Sequence, residues 1–128
     1  MVEWVSRGVI CAGAADGTVQ VFDVRKLDAP VAQPEQLGAG CIRSLRGGGG
    51  NSGKEVAVGT DGGWVRAFDL VSGSRLHPTV STVPHTDSVR AVRWLPSAKG
   101  TLVSAGWDGV VATHDSVAGA GVAAANSV

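Results

Sequence analysis

A histidine, a serine and an aspartate lie in the last third of the chain, at His85, Ser104 and Asp108. These are the residue types of nucleophilic catalysis, in which a histidine takes the serine proton and a carboxylate orients the imidazole. Catalysis would also need an oxyanion hole and a substrate pocket beside them. The elements that position the three residues therefore decide between a catalytic and a structural role.

Residues 48–54 are a second candidate, because their sequence GGGNSGK matches the phosphate-binding pattern G-x-x-x-x-G-K. A phosphate-binding loop of that type continues with Ser or Thr, which binds Mg²⁺, and with a helix whose N-terminus faces the phosphates. Here Glu55 follows, and then a short apolar run that predicts a strand. The sequence therefore predicts a plain loop between two strands, and no bound nucleotide.

The histidines and cysteines of the chain give little indication of metal or redox sites. Three scattered histidines and the two cysteines, Cys11 and Cys41, have no spacing typical of metal ligands, so we expect neither a metal nor a cofactor. Two isolated cysteines also make no disulfide framework and favour a reducing compartment, the cytoplasm or the nucleus. No apolar run reaches the length of a membrane span, so we expect no membrane partner.

Composition narrows the class of protein. The 128 residues contain 11 Lys and Arg against 11 Asp and Glu, a net charge of zero that argues against nucleic-acid partners and anionic membranes. With 44% hydrophobic and 17% charged residues, the chain is not disordered by composition. The 19 glycines argue against a helical bundle and predict many tight turns.

An internal repeat decides the fold. Three segments align, and their closing aspartates, Asp23, Asp69 and Asp115, fall at a constant interval of 46 residues. Each segment is a short apolar run, a Gly-containing turn and a second run that alternates apolar and polar residues, which predicts a hairpin with a primed turn. A period in the forties is typical of repeat architectures built from small sheets.

Further strands complete the unit. Residues 42–46 and 89–94 predict a strand before the hairpins of units two and three, whereas unit one has no such strand. Residues 30–37 and 75–83 contain proline and predict outer edge strands, since proline cannot donate to a sheet. Each full unit is then a four-stranded antiparallel sheet.

This pattern resembles the WD-repeat family of β-propellers. Residues 85–96 look like the opening strand of that family and residues 102–109 like its second strand and turn. Phe22-Asp23, Phe68-Asp69 and His114-Asp115 stand where the family has Trp-Asp. The resemblance implies an all-β fold and an incomplete ring, a piece of a longer propeller or a chain completed by a partner. We predict a partial blade over 1–37, a complete blade over 38–84 and a last blade, with an Ala- and Gly-rich tail, over 85–128.

The resemblance also implies a role for the first candidate set. In the family, the positions of His85, Ser104 and Asp108 form a buried structural hydrogen-bond chain with the tryptophan of the third strand, here His114. We therefore expect a structural network and no enzyme. The other two units lack the matching residues: Ala12 and Val58 replace the serine, Gly38 replaces the histidine, and Gly62 replaces the turn aspartate.

The expected function is that of a non-enzymatic scaffold that binds other proteins in a larger assembly, with no small-molecule substrate. Trp107, in the turn of unit three, is an anchor candidate with Asp61 and Asp87 as neighbours; alternatively it packs on an adjacent turn. Residues 22–25 resemble a signature of substrate receptors in cullin–RING ubiquitin ligases, which would make Arg25 a partner-binding residue. The alternative is a local salt bridge of Arg25 within its own blade.

Overall fold

The computed structural model of the chain describes residues 1–28, 32–36, 40–50, 52–71, 75–115 and 122–127. Within these ranges the chain forms three sheets of four antiparallel strands, each in sequence order. The first sheet consists of β1 (Val2–Ser6), β2 (Val9–Gly13), β3 (Thr18–Asp23) and β4 (Ala32–Gln36). The second consists of β5 (Ile42–Gly49), β6 (Glu55–Thr60), β7 (Val65–Val71) and β8 (Arg75–Thr82). The third consists of β9 (Val89–Trp94), β10 (Thr101–Gly106), β11 (Val110–Asp115) and β12 (Val122–Ser127).

The first sheet corrects one expectation. Sequence reasoning gave the first unit no inner strand, but β1 pairs with β2 and places Glu3 opposite Cys11 and Trp4 opposite Ile10. The first sheet is therefore complete. The strand escaped the repeat comparison because Val2–Ser6 carries Glu3 and the exposed Trp4, and so does not repeat the pattern of β5 and β9. The predicted outer strand over residues 30–37 is described only at β4.

The hairpin turns are also of a different type from the predicted one. In the first sheet the Gly17 N–H donates to the Ala14 carbonyl and the Ala14 N–H to the Thr18 carbonyl, at 3.1 and 2.9 Å. Gly17 then follows the turn with φ 87°, and Gly63 and Gly109 repeat this at 87° and 79°. This is the longer hairpin loop in which a glycine in the left-handed region follows an ordinary turn, not a two-residue primed turn.

Two apolar layers hold the three sheets together. The first sheet contributes Val5, Cys11 and Val21 to a core shared with the second sheet. The second sheet uses its other face, with Val65 and Val80, against Val92 and Leu102 of the third. Because the second sheet is buried on both faces, all six residues of its strand β6 are buried. The hydrophobic effect acts here through many small side chains rather than a few aromatic ones.

Both outer faces of this stack are open. Val2 and Trp4 lie on the face of β1 that points away from the second sheet and are 62% and 63% exposed. On the third sheet, Val103 and Val111 are half-buried on the side opposite Leu102. The inner strands lie in the order β1, β5, β9, so in the described ranges the three sheets fan around one edge without closing a ring.

Candidate functional site

Four side chains of the third sheet form one buried hydrogen-bonded chain. The His85 ring lies 3.1 Å from the Asp108 carboxylate through Nδ1 and 2.8 Å from the Ser104 hydroxyl through Nε2. The same hydroxyl lies 2.8 Å from Nε2 of His114. The structure thus brings together all four residues that the resemblance grouped, from the connection before β9, from β10, from the turn after it and from β11.

The direction of each hydrogen bond follows from what each group can do. A carboxylate only accepts, so Nδ1 of His85 donates to Asp108 and Nε2 accepts the Ser104 O–H. The Ser104 oxygen then accepts from Nε2 of His114. Asp108 also accepts the backbone N–H groups of Thr86 and Val110, at 2.9 and 3.1 Å. The network therefore fixes both the connection before β9 and the turn after β10.

Burial keeps the His114 imidazole of this network neutral. Desolvation is the main cause that lowers the pKa of His114 to about 4, so its imidazole is neutral near neutral pH. Burial alone would raise the pKa of Asp108, but the hydrogen bonds from Thr86, His85 and Val110 hold it below its ordinary value. A neutral His114 can donate one hydrogen bond, and it donates that bond to Ser104.

The arrangement is unsuited to nucleophilic attack. Ser104 has 0% exposure and lies between two imidazole rings, His85 at 2% and His114 at 1%. A substrate carbonyl has no path to a hydroxyl oxygen that both rings already engage. The geometry gives the set a structural task, because it satisfies polar groups that would otherwise be costly to bury.

The first two sheets hold their turns by other means. Val58 occupies the serine position of the second sheet and is buried in the first core, and Gly62 stands where Asp108 has its carboxylate. There the Thr60 hydroxyl accepts the Trp64 N–H at 3.3 Å instead. In the first sheet Ala12 stands at the serine position and the Asp16 carboxylate accepts the Thr18 N–H at 2.9 Å. Gly38, which aligns with His85, lies outside the described residues.

Trp107 projects from the edge of the sheets that carries the three hairpin turns, here named the turn edge. Its side chain is 68% exposed, and its backbone N–H donates to the Ser88 carbonyl at 3.0 Å. The Arg90 guanidinium of its own sheet lies 4.6 Å from the centroid of the indole ring. A rigid backbone therefore presents a largely uncovered aromatic ring.

The other two turn-edge candidates lie near the same elements. Asp61 is exposed, and its backbone N–H donates to the Cys41 carbonyl at 3.0 Å, just before β5. Asp87 is exposed in the connection before β9 and accepts the Ser88 N–H at 2.7 Å. Asp61, Asp87 and Trp107 thus all lie where hairpin turns meet the connections that lead into inner strands.

Arg25 lies at the opposite edge, away from these three. Its guanidinium forms a bidentate pair with Asp23, at 3.0 Å from Nε to Oδ1 and 2.7 Å from Nη2 to Oδ2. This pair lowers the pKa of Asp23 to about 2 through the hydrogen bonds from Arg25. The structure thus contains the local salt bridge that was the alternative for Arg25.

The structure also places the remaining sequence candidates. The pattern at residues 48–54, of which Asn51 lies outside the description, leads from β5 into strand β6 and not into a helix. Burial raises the pKa of the Cys11 thiol to about 12, with a further contribution from Glu3, so this thiol is unreactive. No metal-binding group of His, Cys, Asp and Glu occurs in the described ranges. These ranges also contain no helix long and apolar enough to span a membrane.

Sequence reasoning missed Arg90. The available signal was positional, since Arg43 and Arg90 occupy matching places in the inner strands of the second and third units. That signal indicates where the arginines lie but not that one of them covers an indole.

Comparison with known proteins agrees with the fold. The chain is 31% identical over 106 residues to angio-associated migratory cell protein from Homo sapiens, Pongo abelii and Canis lupus familiaris. That match covers 82% of this chain but 23% of the relative, so the chain spans less than a quarter of the curated relatives it matches. No protein-family model matches the sequence.

A solved structure has the same architecture. The crystal structure of the mitotic checkpoint complex contains a chain that superimposes with a TM-score of 0.77 over 95% of this chain and 37% of its own, at 23% identity. The three four-stranded sheets and the likeness to this solved chain together show that the chain has the fold of a partial β-propeller of three blades, and its three in-phase repeats resemble the WD-repeat family.

Proposed function

We propose that the chain is a non-enzymatic interaction platform that binds other proteins as a scaffold subunit of a larger complex. The fold generally serves protein interaction, and the solved chain of the same architecture belongs to a protein complex. The observation that carries the proposal for this chain is Trp107, a 68% exposed indole on a turn fixed by backbone hydrogen bonds.

Trp107 suits an interface anchor for two reasons. A large ring held on a rigid turn loses little conformational entropy when a partner covers it, and aromatic residues are enriched among the residues that dominate binding energy. The buried network beneath it holds the turn through Asp108, the residue that follows Trp107. The platform is thus ordered before a partner arrives.

The turn edge around Trp107 supports one docking surface rather than isolated contacts. Gly63, in the turn of the second blade, lies directly against the His85 carbonyl, so that turn abuts the connection into the third blade. Asp61 and Asp87 flank this junction and are both exposed. The turn edge thus carries two exposed carboxylates as well as the indole.

A ubiquitin-ligase substrate receptor is the alternative, and it rests on residues 22–25. The Arg25 side chain is 84% exposed but already forms a bidentate pair with Asp23 within its own blade. The geometry therefore gives this alternative no support beyond the sequence pattern.

The test is quantitative affinity enrichment from cells that express the tagged chain, combined with thermal melting of the purified variants. Trp107→Ala should reduce recovery of the co-purifying proteins tenfold or more and leave the melting temperature nearly unchanged. Leu27→Ala is the matched control, because Leu27 is 59% exposed at the opposite edge. Unchanged recovery with Trp107→Ala, or an equal loss with Leu27→Ala, would refute the proposal.

A further inference from the structure

Two arginines of the inner strands lie at β-bulges. In β9 the register shifts so that Val89 pairs with Gly106 and Ala91 with Ala105, which leaves Arg90 without an opposite residue. In β5 the same shift between Ile42 and Ser44 leaves Arg43 without one. Both arginines are exposed. A bulge re-aims the side chain of its extra residue, and here it turns two cations out of the sheets.

The two bulges lie side by side. The Ser44 hydroxyl donates to the Val89 carbonyl at 3.2 Å, and these two residues directly adjoin Arg43 and Arg90. The hydrogen bond joins β5 to β9 across the boundary between the second and third blades. Arg43 and Arg90 therefore project from neighbouring strands at the same level, near the turn edge.

Neither guanidinium forms an ion pair or hydrogen bond within the described residues. The acidic side chains next to these strands have other hydrogen-bond partners: Asp108 accepts from His85 and two backbone groups, and Asp87 accepts the Ser88 N–H. Two exposed cations on a rigid edge thus lack the carboxylate that would complement them.

Arg90 is also pre-oriented. Its guanidinium lies 4.6 Å from the centroid of the Trp107 ring, within the range of a cation–π contact. Such a contact uses the flat face of the guanidinium and leaves its N–H groups, which lie in the plane, free for bidentate binding of a carboxylate. The Arg90 side chain therefore loses less rotamer freedom when an anion binds.

We propose that Arg90, Trp107 and Arg43 form a docking site for an acidic segment of a partner protein. This rests on the proposed interaction function and names the chemistry of the partner. A glutamate or aspartate would bind the free edge of the Arg90 guanidinium, with Arg43 adding a second positive charge. An apolar side chain next to that carboxylate would cover the exposed part of the Trp107 indole.

A single carboxylate fits this edge better than a polyanion. Asp61 and Asp87 are exposed on the turn edge and would repel a run of phosphates, and the chain has no net positive charge. A short acidic segment with an apolar neighbour avoids that repulsion, because its charge is confined to one point.

The site is tested with two fluorescent Gly/Ser peptides that differ in one residue, one with a central Leu-Glu-Leu and one with Leu-Gln-Leu. The full chain is immobilised sparsely on a biosensor, so that the open faces of neighbouring molecules cannot pair. The Glu peptide should bind roughly tenfold tighter than the Gln peptide, since a charge-assisted hydrogen bond replaces a neutral one. Equal binding of the two peptides, or no saturable binding, would overturn the proposal.

Variants assign the preference to the named groups. Arg90→Gln should abolish the preference for Glu, Arg90→Lys should retain part of it without the planar fork, and Arg43→Gln should reduce it less. Arg93→Gln is the matched control, because Arg93 is an exposed arginine of the same strand that donates to the Val92 carbonyl. A preference that survives Arg90→Gln, or one that Arg93→Gln also removes, contradicts the assignment. Tighter binding of a single-stranded oligonucleotide than of the Glu peptide would do so as well.

The enrichment experiment separates this proposal from the proposed function. If cellular partners are lost with both Trp107→Ala and Arg90→Gln, the two proposals stand together. If they are lost with Trp107→Ala but recovered with Arg90→Gln, the platform stands and the acidic-segment site fails. If neither substitution changes recovery, both fail.

Discussion

The second and third blades fill one equivalent buried position with two different kinds of side chain. At the same repeat position the second blade has Phe68, which is 2% exposed and packs in the first core, and the third has His114, which is 1% exposed and donates to Ser104. The backbone around them is equivalent, with the partners Val56 and Leu102 opposite each. The difference shows that the blade requires a filled position here, and that apolar area or a satisfied polar chain can fill it.

The two solutions differ in what they do for the turn edge. Packing at Phe68 stabilises the contact between blades but makes no bond to the turn. The network of the third blade runs from His114 to Asp108 and through it to Thr86 and Val110. The blade that presents Trp107 is thus the one whose turn is tied to its interior.

The largest expected loss of stability follows from truncating Phe68, the apolar residue at this position. Phe68→Ala should destabilise the chain by about 3–5 kcal/mol, because it leaves a cavity between the first and second blades. Chemical denaturation followed by circular dichroism measures the change. Val24→Ala, which truncates a 38% exposed side chain, is the control and should have little effect. Similar midpoints for the two variants would show that Phe68 does not support the core.

Disrupting the hydrogen-bonded network of the third blade should cost somewhat less stability than truncating Phe68. His85→Ala leaves the buried Ser104 hydroxyl without its acceptor, a loss of about 1–3 kcal/mol. Thr86→Ala is the matched control, since Thr86 is exposed and contributes only its backbone N–H to the network. Denaturation midpoints compare the two, and equal midpoints would mean that His85 is not part of a buried chain.

The third blade should also make stability depend on pH. The unfolded chain protonates His114 as the pH falls below 6.5, whereas the folded chain keeps it neutral until about pH 4. The unfolded state therefore binds more protons in this window, and stability falls as the pH falls from 6.5 to 4. Melting temperatures across the window should show a steeper loss for the native chain than for His114→Phe, and parallel curves would contradict this.

The smallest effect is expected where an ion pair is exposed. Arg25→Gln removes the bidentate pair with Asp23, whose geometry is as good as that of the buried network. Water and salt screen this pair because the Arg25 side chain is 84% exposed, so the melting temperature should barely change. A loss comparable to that of His85→Ala would show that burial is not what distinguishes the two sites.

The sequence predicts those parts of the molecule that depend on local pattern. The constant interval of the aspartates predicts the hairpins β2–β3, β6–β7 and β10–β11, because turn glycines and alternating valines are local signals that a sequence shows directly. The inner strand β1 escapes prediction, since its pairing with β2 depends on contacts rather than on a repeated pattern. The stacking of Arg90 on Trp107 depends on a bulge in the register of β9, which no spacing reveals.

The buried network holds the turn edge of the third blade in place through Asp108. Amide hydrogen exchange tests this role most directly, residue by residue, in the native chain and in His85→Ala. We predict faster exchange at Thr86, Trp107 and Val110, whose N–H groups bond to Asp108 or Ser88, and unchanged exchange at Trp64 in the second blade. Equal acceleration in both blades, or none at Thr86 and Val110, would show that the network does not hold this edge.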